Sequence, residues 1–162
     1  MKMAGKVIIL ICLINAGIYS TEPSSLHLQN LTGQKTGLQD YPAKITILNF
    51  WAVWCKPCVQ EFPELNQIYN KFRNNGVIVL GISMSPSKEQ ILKFTGKHKV
   101  DFPILIDVRE ELSNKYSVSN LPTTILLDNQ HNIIYKYQGF SKKEMSIMEE
   151  LIDNYLKKNN KE

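Results

Sequence analysis

The stretch from residue 45 to residue 72 constrains this chain more than any other part of it. Residues 45–50, Ile-Thr-Ile-Leu-Asn-Phe, form a short, mostly apolar run of the kind found in a strand buried on both faces. After Trp51-Ala52-Val53-Trp54 the pattern changes period, and Phe62, Leu65, Ile68, Tyr69 and Phe72 recur at helical spacing. Asn74-Asn75-Gly76 stops that helix, and a second buried apolar run occupies residues 77–82. A strand, a helix and a strand in that order make a crossover, which sets the two strands parallel in one sheet. Cys55 and Cys58 stand at the junction of the first strand and the helix, separated by Lys56 and Pro57. Proline is tolerated there because the first helical turn has no use for its missing N–H. Pro63, deeper in the helix, predicts a kink.

The same periods organise the rest of the chain. Residues 87–99 read as a helix weakened by Gly96, 102–106 as a strand, 109–116 as a short helix and 123–127 as a strand. Asp128-Asn129-Gln130-His131-Asn132 turns the chain into residues 133–138, where Ile133, Tyr135 and Tyr137 alternate with Ile134, Lys136 and Gln138. That alternation marks a half-exposed antiparallel strand. Gly139 ends it, and Ser141 predicts the cap of a last helix to about Lys158, with Glu144 completing a capping box. Leu26, Leu28, Leu31 and Leu38 lie in a lead-in that has room for one or two short strands. The whole is an α/β fold with a mixed sheet flanked by helices. Its core is parallel because helices join the strands, and its edge is antiparallel because of the late hairpin.

The first twenty residues have a different character. Lys2 and Lys6 precede a purely apolar run over residues 7–14, which Asn15-Ala16-Gly17 breaks before polar Thr21-Glu22-Pro23. That order is a secretory signal peptide, with cleavage after Ser20 and a single domain over residues 21–162. The alternative is an uncleaved membrane anchor, but residues 7–19 are short of the roughly 20 apolar residues that a spanning helix needs. The reading places the chain in the periplasm or another exported compartment. With 162 residues, 43% of them apolar and 21% charged, the chain can bury a full core. Two of the lysines behind the net charge of +4 sit in the signal, so residues 21–162 carry 17 basic against 15 acidic side chains, or +2. That leaves no concentrated basic patch for a nucleic acid.

Export also sharpens the cysteine count. Cys12 leaves with the signal, so Cys55 and Cys58 are the only pair left. A bridge between them closes a very short loop and restricts the unfolded chain little, which makes a structural role a weak explanation. Redox chemistry is a strong one. Thiol–disulfide exchange needs a thiolate, and a free cysteine (pKa ~8.5) is mostly protonated at neutral pH. At a helix start Cys55 meets free backbone N–H groups and the positive end of the helix dipole, with Lys56 adding charge, so Cys55 is the attacking sulfur. Cys58, about one turn on and on the same face, is placed to resolve a mixed disulfide, and Pro57 stiffens the loop between them. Zinc would need four ligands. No second cysteine pair exists, and His27, His98 and His131 are scattered, so no metal site is expected.

The wider run Asn49-Phe50-Trp51-Ala52-Val53-Trp54-Cys55-Lys56-Pro57-Cys58, followed by Glu61-Phe62-Pro63, resembles the thioredoxin superfamily. Within it the chain is similar to the exported TlpA/ResA-like group, through the strand at 77–82, a helix–strand insertion at 87–106 and Leu121-Pro122-Thr123-Thr124, over residues 26–156. The resemblance implies a thioredoxin fold and a thiol–disulfide oxidoreductase that reduces protein disulfides. It also implies substrates such as apocytochrome c or partner oxidoreductases, electrons from a membrane thiol carrier, and no bound cofactor. It makes Pro122 a cis-proline facing the two cysteines, with the Leu121 backbone pairing to an extended substrate segment. Trp51 and Trp54 would shape the apolar surround of the sulfurs, and Gly139 matches a glycine near that surface.

Two departures stand out. Thioredoxins usually carry a buried Asp where this chain has Asn49, and Ser83-Met84-Ser85-Pro86 lacks the Glu that ResA-like proteins often place after the second strand. Asn cannot accept a proton at neutral pH. Glu61, three residues past Cys58, is then the nearest acid for proton transfer, though its residue type predicts an exposed helix charge before a base, with water the alternative. Two other functions share the fold. A thiol peroxidase of the peroxiredoxin type needs Thr and Pro shortly before its reactive Cys, and Ala52-Val53-Trp54 offers neither. A copper carrier of thioredoxin-like fold spaces its cysteines by three residues, and here the gap is two.

Overall fold

A computed structural model describes residues 27–159. The signal expected over residues 1–20 lies outside the described residues. The elements are β1 (Leu28–Asn30), β2 (Lys35–Thr36), β3 (Ile45–Trp51), α1 (Lys56–Phe72), β4 (Val77–Ser83), α2 (Lys88–His98), β5 (Ile104–Asp107), α3 (Glu111–Lys115), β6 (Thr123–Asp128), β7 (Ile133–Gln138) and α4 (Lys142–Asn159). Among the described residues no helix is long and apolar enough to cross a membrane.

The strands form one mixed sheet in the order β2-β1-β5-β4-β3-β6-β7. β3 lies parallel to β4 and β4 to β5, because helices α1 and α2 carry the chain from each strand to the next. β6 runs antiparallel to β3, β7 to β6, and β1 to β5. β3 is central, and all seven of its residues are buried. Strand period two divides them between two cores. Ile45, Ile47 and Trp51 pack with Phe62, Leu65 and Ile68 of α1, Ile91 of α2 and Met148 and Ile152 of α4. Leu48 and Phe50 face the other way, towards Leu80, Ile82, Leu105 and Leu112 of α3. Each such side chain, fully removed from water, contributes about 1.5–3 kcal/mol.

One row of the register sets up the site. Ile104, Gly81, Asn49, Thr124 and Tyr137 are successive partners across β5, β4, β3, β6 and β7. Asn49 and Thr124 share strand parity with Ile47, Trp51 and Leu126, so with Tyr137 they belong to the sheet face that α1 and α4 cover. Gly81 belongs here because it has no side chain: a Cβ would lie 2.4 Å from Ile104 Cδ1 and 3.2 Å from Trp51 Nε1.

Several boundaries differ in detail from the sequence reading. Helix α1 continues through Pro63 to Phe72. Helix α2 begins at Lys88, with the Ser87 hydroxyl accepting from the Gln90 N–H, and runs through Gly96 to His98. The Glu144 carboxylate accepts from the Tyr135 hydroxyl, which ties the first turn of α4 to β7.

Candidate active site

Cys55 is the N-cap of α1, with extended backbone angles, and its Sγ accepts the Cys58 N–H at 3.3 Å. This uses one of the orphan donors that every helix start presents. The two cysteines are joined as a disulfide with their Cα atoms 5.4 Å apart. Cys58 is wholly buried and Cys55 retains 4% exposure, so Cys55 is the more exposed residue of the pair. Lys56 and Pro57 are exposed, as residues one and two of the helix. Trp54 stands 71% exposed beside Cys55, an apolar surface left open at the site. Trp51 is buried instead, its ring 5.1 Å edge-on from Phe62 and 4.9 Å from Phe94.

The loop that precedes the cysteines is held from β4 and the segment after it. Met84 N–H donates to the Trp51 carbonyl at 2.8 Å, and Val53 N–H donates to Ser85 Oγ at 2.9 Å. Ser85 N–H in turn donates to Ser83 Oγ at 3.2 Å. On the other side the Leu121–Pro122 peptide is cis, with Pro122 buried and Leu121 half-buried. The Pro122 carbonyl accepts the Gly139 N–H at 2.7 Å, and Gly139 has φ +79°, a left-handed conformation that favours glycine.

Glu61 corrects the sequence reading. It is not an exposed helix charge: the residue has no exposed surface at all. Its carboxylate receives three side-chain donors from three strands. Asn49 Nδ2 donates to Oε2 at 2.7 Å, while Thr124 Oγ1 at 2.9 Å and the Tyr137 hydroxyl at 2.7 Å donate to Oε1. Asn49 Nδ2 also donates to Thr124 Oγ1 at 2.9 Å. Burial raises the Glu61 pKa above its ordinary value of 4.5, and the bonds from Tyr137, Thr124 and Asn49 oppose that rise without cancelling it. Burial, and then the Glu61 charge, push the Tyr137 phenol upward, so Tyr137 keeps its proton and acts as a donor.

The misreading has a physical reason. Cys58, Glu61, Phe62, Leu65 and Ile68 follow one helical stripe, so spacing alone puts Glu61 on the covered face. Residue type argued for solvent, and spacing prevailed because the strands beneath supply partners. Thr124 and Tyr137 are partners of Glu61 that the sequence reading did not single out. Alternation along β7 does put Tyr137 on one face, but only the register places it beside Thr124. The histidines stay apart: His27 Nδ1 lies 2.9 Å from Glu111 Oε1, the His98 ring is 4.4 Å from Phe94, and His131 sits in the β6–β7 turn. Among the described residues no three His, Cys, Asp or Glu side chains are grouped to hold a metal ion.

Comparison with known proteins agrees with this geometry. A family described as the AhpC/TSA family matches residues 22–136. The thiol–disulfide oxidoreductase ResA of Geobacillus kaustophilus is 37% identical over 125 residues, covering 77% of this chain and 71% of that protein. ResA of Bacillus subtilis is 27% identical over 164 residues, covering 94% and 88%. A crystal structure from Chlorobium tepidum, assigned as thiol:disulfide interchange protein DsbE, superposes with a TM-score of 0.74 at 28% identity, covering 80% of this chain and 91% of that one.

Proposed function

The chain belongs to the AhpC/TSA family of the thioredoxin superfamily and is a thiol–disulfide oxidoreductase of the ResA type, and from that premise we propose how its residues divide the work. Cys55 attacks a disulfide in a protein substrate, Cys58 resolves the mixed disulfide, and Glu61 takes the proton that Cys58 must lose. The observation that carries this reading is the buried Glu61 carboxylate three residues beyond Cys58 on the same helix.

The exchange runs in two balanced steps. First the Cys55 thiolate attacks one substrate sulfur; a Cys55–substrate S–S bond forms and the substrate's other sulfur leaves as a thiolate. Then the Cys58 S–H proton passes to the Glu61 carboxylate, directly or through one water. The Cys58 thiolate attacks Cys55 Sγ, the Cys55–Cys58 bond forms, and the bond to substrate breaks. The second substrate sulfur leaves as a thiolate, Glu61 is left as the acid, and the net charge is unchanged. Two electrons have moved to the substrate. A base with a raised pKa suits this task, because it takes a thiol proton more readily than an ordinary surface carboxylate.

Lys56, Pro57, Trp51 and Trp54 form the surround of the sulfurs, and the Leu121–Pro122 segment is the edge on which an extended substrate backbone would pair. The direction proposed is reduction, in an exported compartment, on proteins such as apocytochrome c, with electrons from a membrane thiol carrier. Support for export comes from the signal-like order of residues 1–20, and support for these substrates from the TlpA/ResA resemblance. The test is trapping. A Cys58→Ala variant should accumulate mixed disulfides through Cys55 with exported proteins, and Cys55→Ala should accumulate none. A Cys55–Cys58 reduction potential near that of thioredoxin, about −270 mV, fits a reductase, and one near −120 mV would reverse the direction.

A further inference from the structure

Glu61 must change charge inside a core, which raises a problem of hydrogen bonds. Asn49, Thr124 and Tyr137 all donate to its carboxylate. That arrangement suits the anion, but a protonated carboxyl carries a hydrogen of its own, and a donor facing a donor is an unmade bond in a dry site. Asn49 offers little relief, since its Nδ2 points at Glu61 and its Oδ1 is buried without a partner.

Tyr137 is different. Its hydroxyl has one hydrogen and two acceptors within reach: Glu61 Oε1 at 2.7 Å and Met145 Sδ at 2.9 Å. We infer that Tyr137, poised between Glu61 and Met145, is a positioning residue whose hydroxyl hydrogen swings between the two as Glu61 loses and gains its proton. With Glu61 ionised, Tyr137 donates to Oε1. With Glu61 protonated on Oε1, the acid donates to the Tyr137 oxygen and the phenol hydrogen turns to Met145 Sδ, a weak acceptor. No heavy atom moves, and neither state leaves this pair with an unmade bond. The inference rests on the proposed proton transfer to Glu61. Tyr137 and Met145 are both buried, at 7% and 4% exposure, so water does not readily take the place of either partner.

Other ionisable groups on the elements packed here include Cys58 on α1, Tyr135 on β7 and Glu144 on α4. Tyr135 and Glu144 are bonded to each other. The Glu144 charge reaches Tyr137 only as a minor influence, behind burial and Glu61. Further out on the same helices, Lys142 pairs with Glu64 at 3.8 Å.

The two partners give opposite signs. Tyr137→Phe removes a charge-assisted bond from the anion and a weaker neutral bond from the acid, so the net shift of the Glu61 proton equilibrium should be towards the acid, about tenfold. Met145→Leu, close in volume, removes the second acceptor, penalises the acid form and should shift the same equilibrium towards the anion by a few-fold. In a Tyr137→Phe background Met145→Leu should then do nothing. The protonated carboxyl band in difference infrared spectra, assigned by its loss in Glu61→Gln, reads this equilibrium directly. Same-sign shifts, or a Met145→Leu shift that persists without the phenol, would overturn the switch. The pH profile of single-turnover substrate release is read in parallel. If Glu61→Gln leaves that profile unchanged, the base assignment fails, whatever the infrared titrations show.

Discussion

At the scale of single residues, Asn49 matters as much for what it is not as for what it bonds. Its Nδ2 lies 2.7 Å from Glu61 Oε2, so an acid at this position would put two carboxyls in contact with no cation between them. Like charges so close cannot both ionise, and the pair would share a proton. Asn49→Asp should therefore fold normally at low pH and lose about 1–3 kcal/mol as the solution reaches neutrality. Urea denaturation of the oxidised protein at pH 5 and pH 7 checks this. Equal losses at both values would show that the amide only fills space. Asn49 and Glu61 thus read as one hydrogen-bonded unit across strand and helix. The sequence displays both halves, since Asn49 lies within a buried run and Glu61 follows Cys58 by three residues. It does not display that they touch, because contact between strand and helix depends on packing that no local period encodes.

At the scale of elements, the cysteines owe their place to a junction rather than to one helix. The loop between β3 and α1 is fastened to the segment just after β4 by Val53 N–H to Ser85 Oγ, and Ser85 is itself 1% exposed. Ser85→Ala would leave the Val53 N–H without that partner in a largely closed setting. The expected loss is about 1–2 kcal/mol in denaturant unfolding, with slower exchange at Cys55 from a loop less firmly set. Unchanged stability together with unchanged exchange would assign the loop's position to Trp51 packing alone. Elements of this kind were largely legible. The two parallel strands, the cysteine helix, the insertion and the late hairpin follow from periods of two and 3.6 in the chain. Their ends shifted by a residue or two, as fraying ends do. What stayed hidden was the row Gly81, Asn49, Thr124, Tyr137, whose members lie on four strands. Register between strands is settled by which face each buries and by close fits such as Gly81 under Trp51, not by any one segment.

At the scale of the whole molecule, a buried acid ties folding to pH. In the unfolded chain Glu61 titrates near 4.5; in the folded chain burial raises its pKa above that. The folded state then holds this proton more tightly than the unfolded one. Stability rises with pH only where the unfolded state binds more protons, and here it binds fewer. Glu61's contribution is therefore fullest below pH 4.5 and is lost as pH rises through the folded-state pKa. Glu111 has the opposite sense. The His27 backbone N–H, and then its ring, hold that carboxyl below 4.5, so its contribution is present above 4.5 and is lost as pH falls. The raw stability curve mixes the two, and the difference between wild type and Glu61→Gln separates them, since Glu111 is common to both. That difference should decline with rising pH above 4.5, with a slope approaching about 1.4 kcal/mol per pH unit for one proton, and flatten beyond the folded-state pKa. Urea unfolding with the Cys55–Cys58 bridge intact keeps redox chemistry out of the measurement. Parallel curves for the two proteins would mean that Glu61 is no harder to ionise in the fold than in the open chain, and the raised basicity that the proposed proton transfer draws on would then be absent.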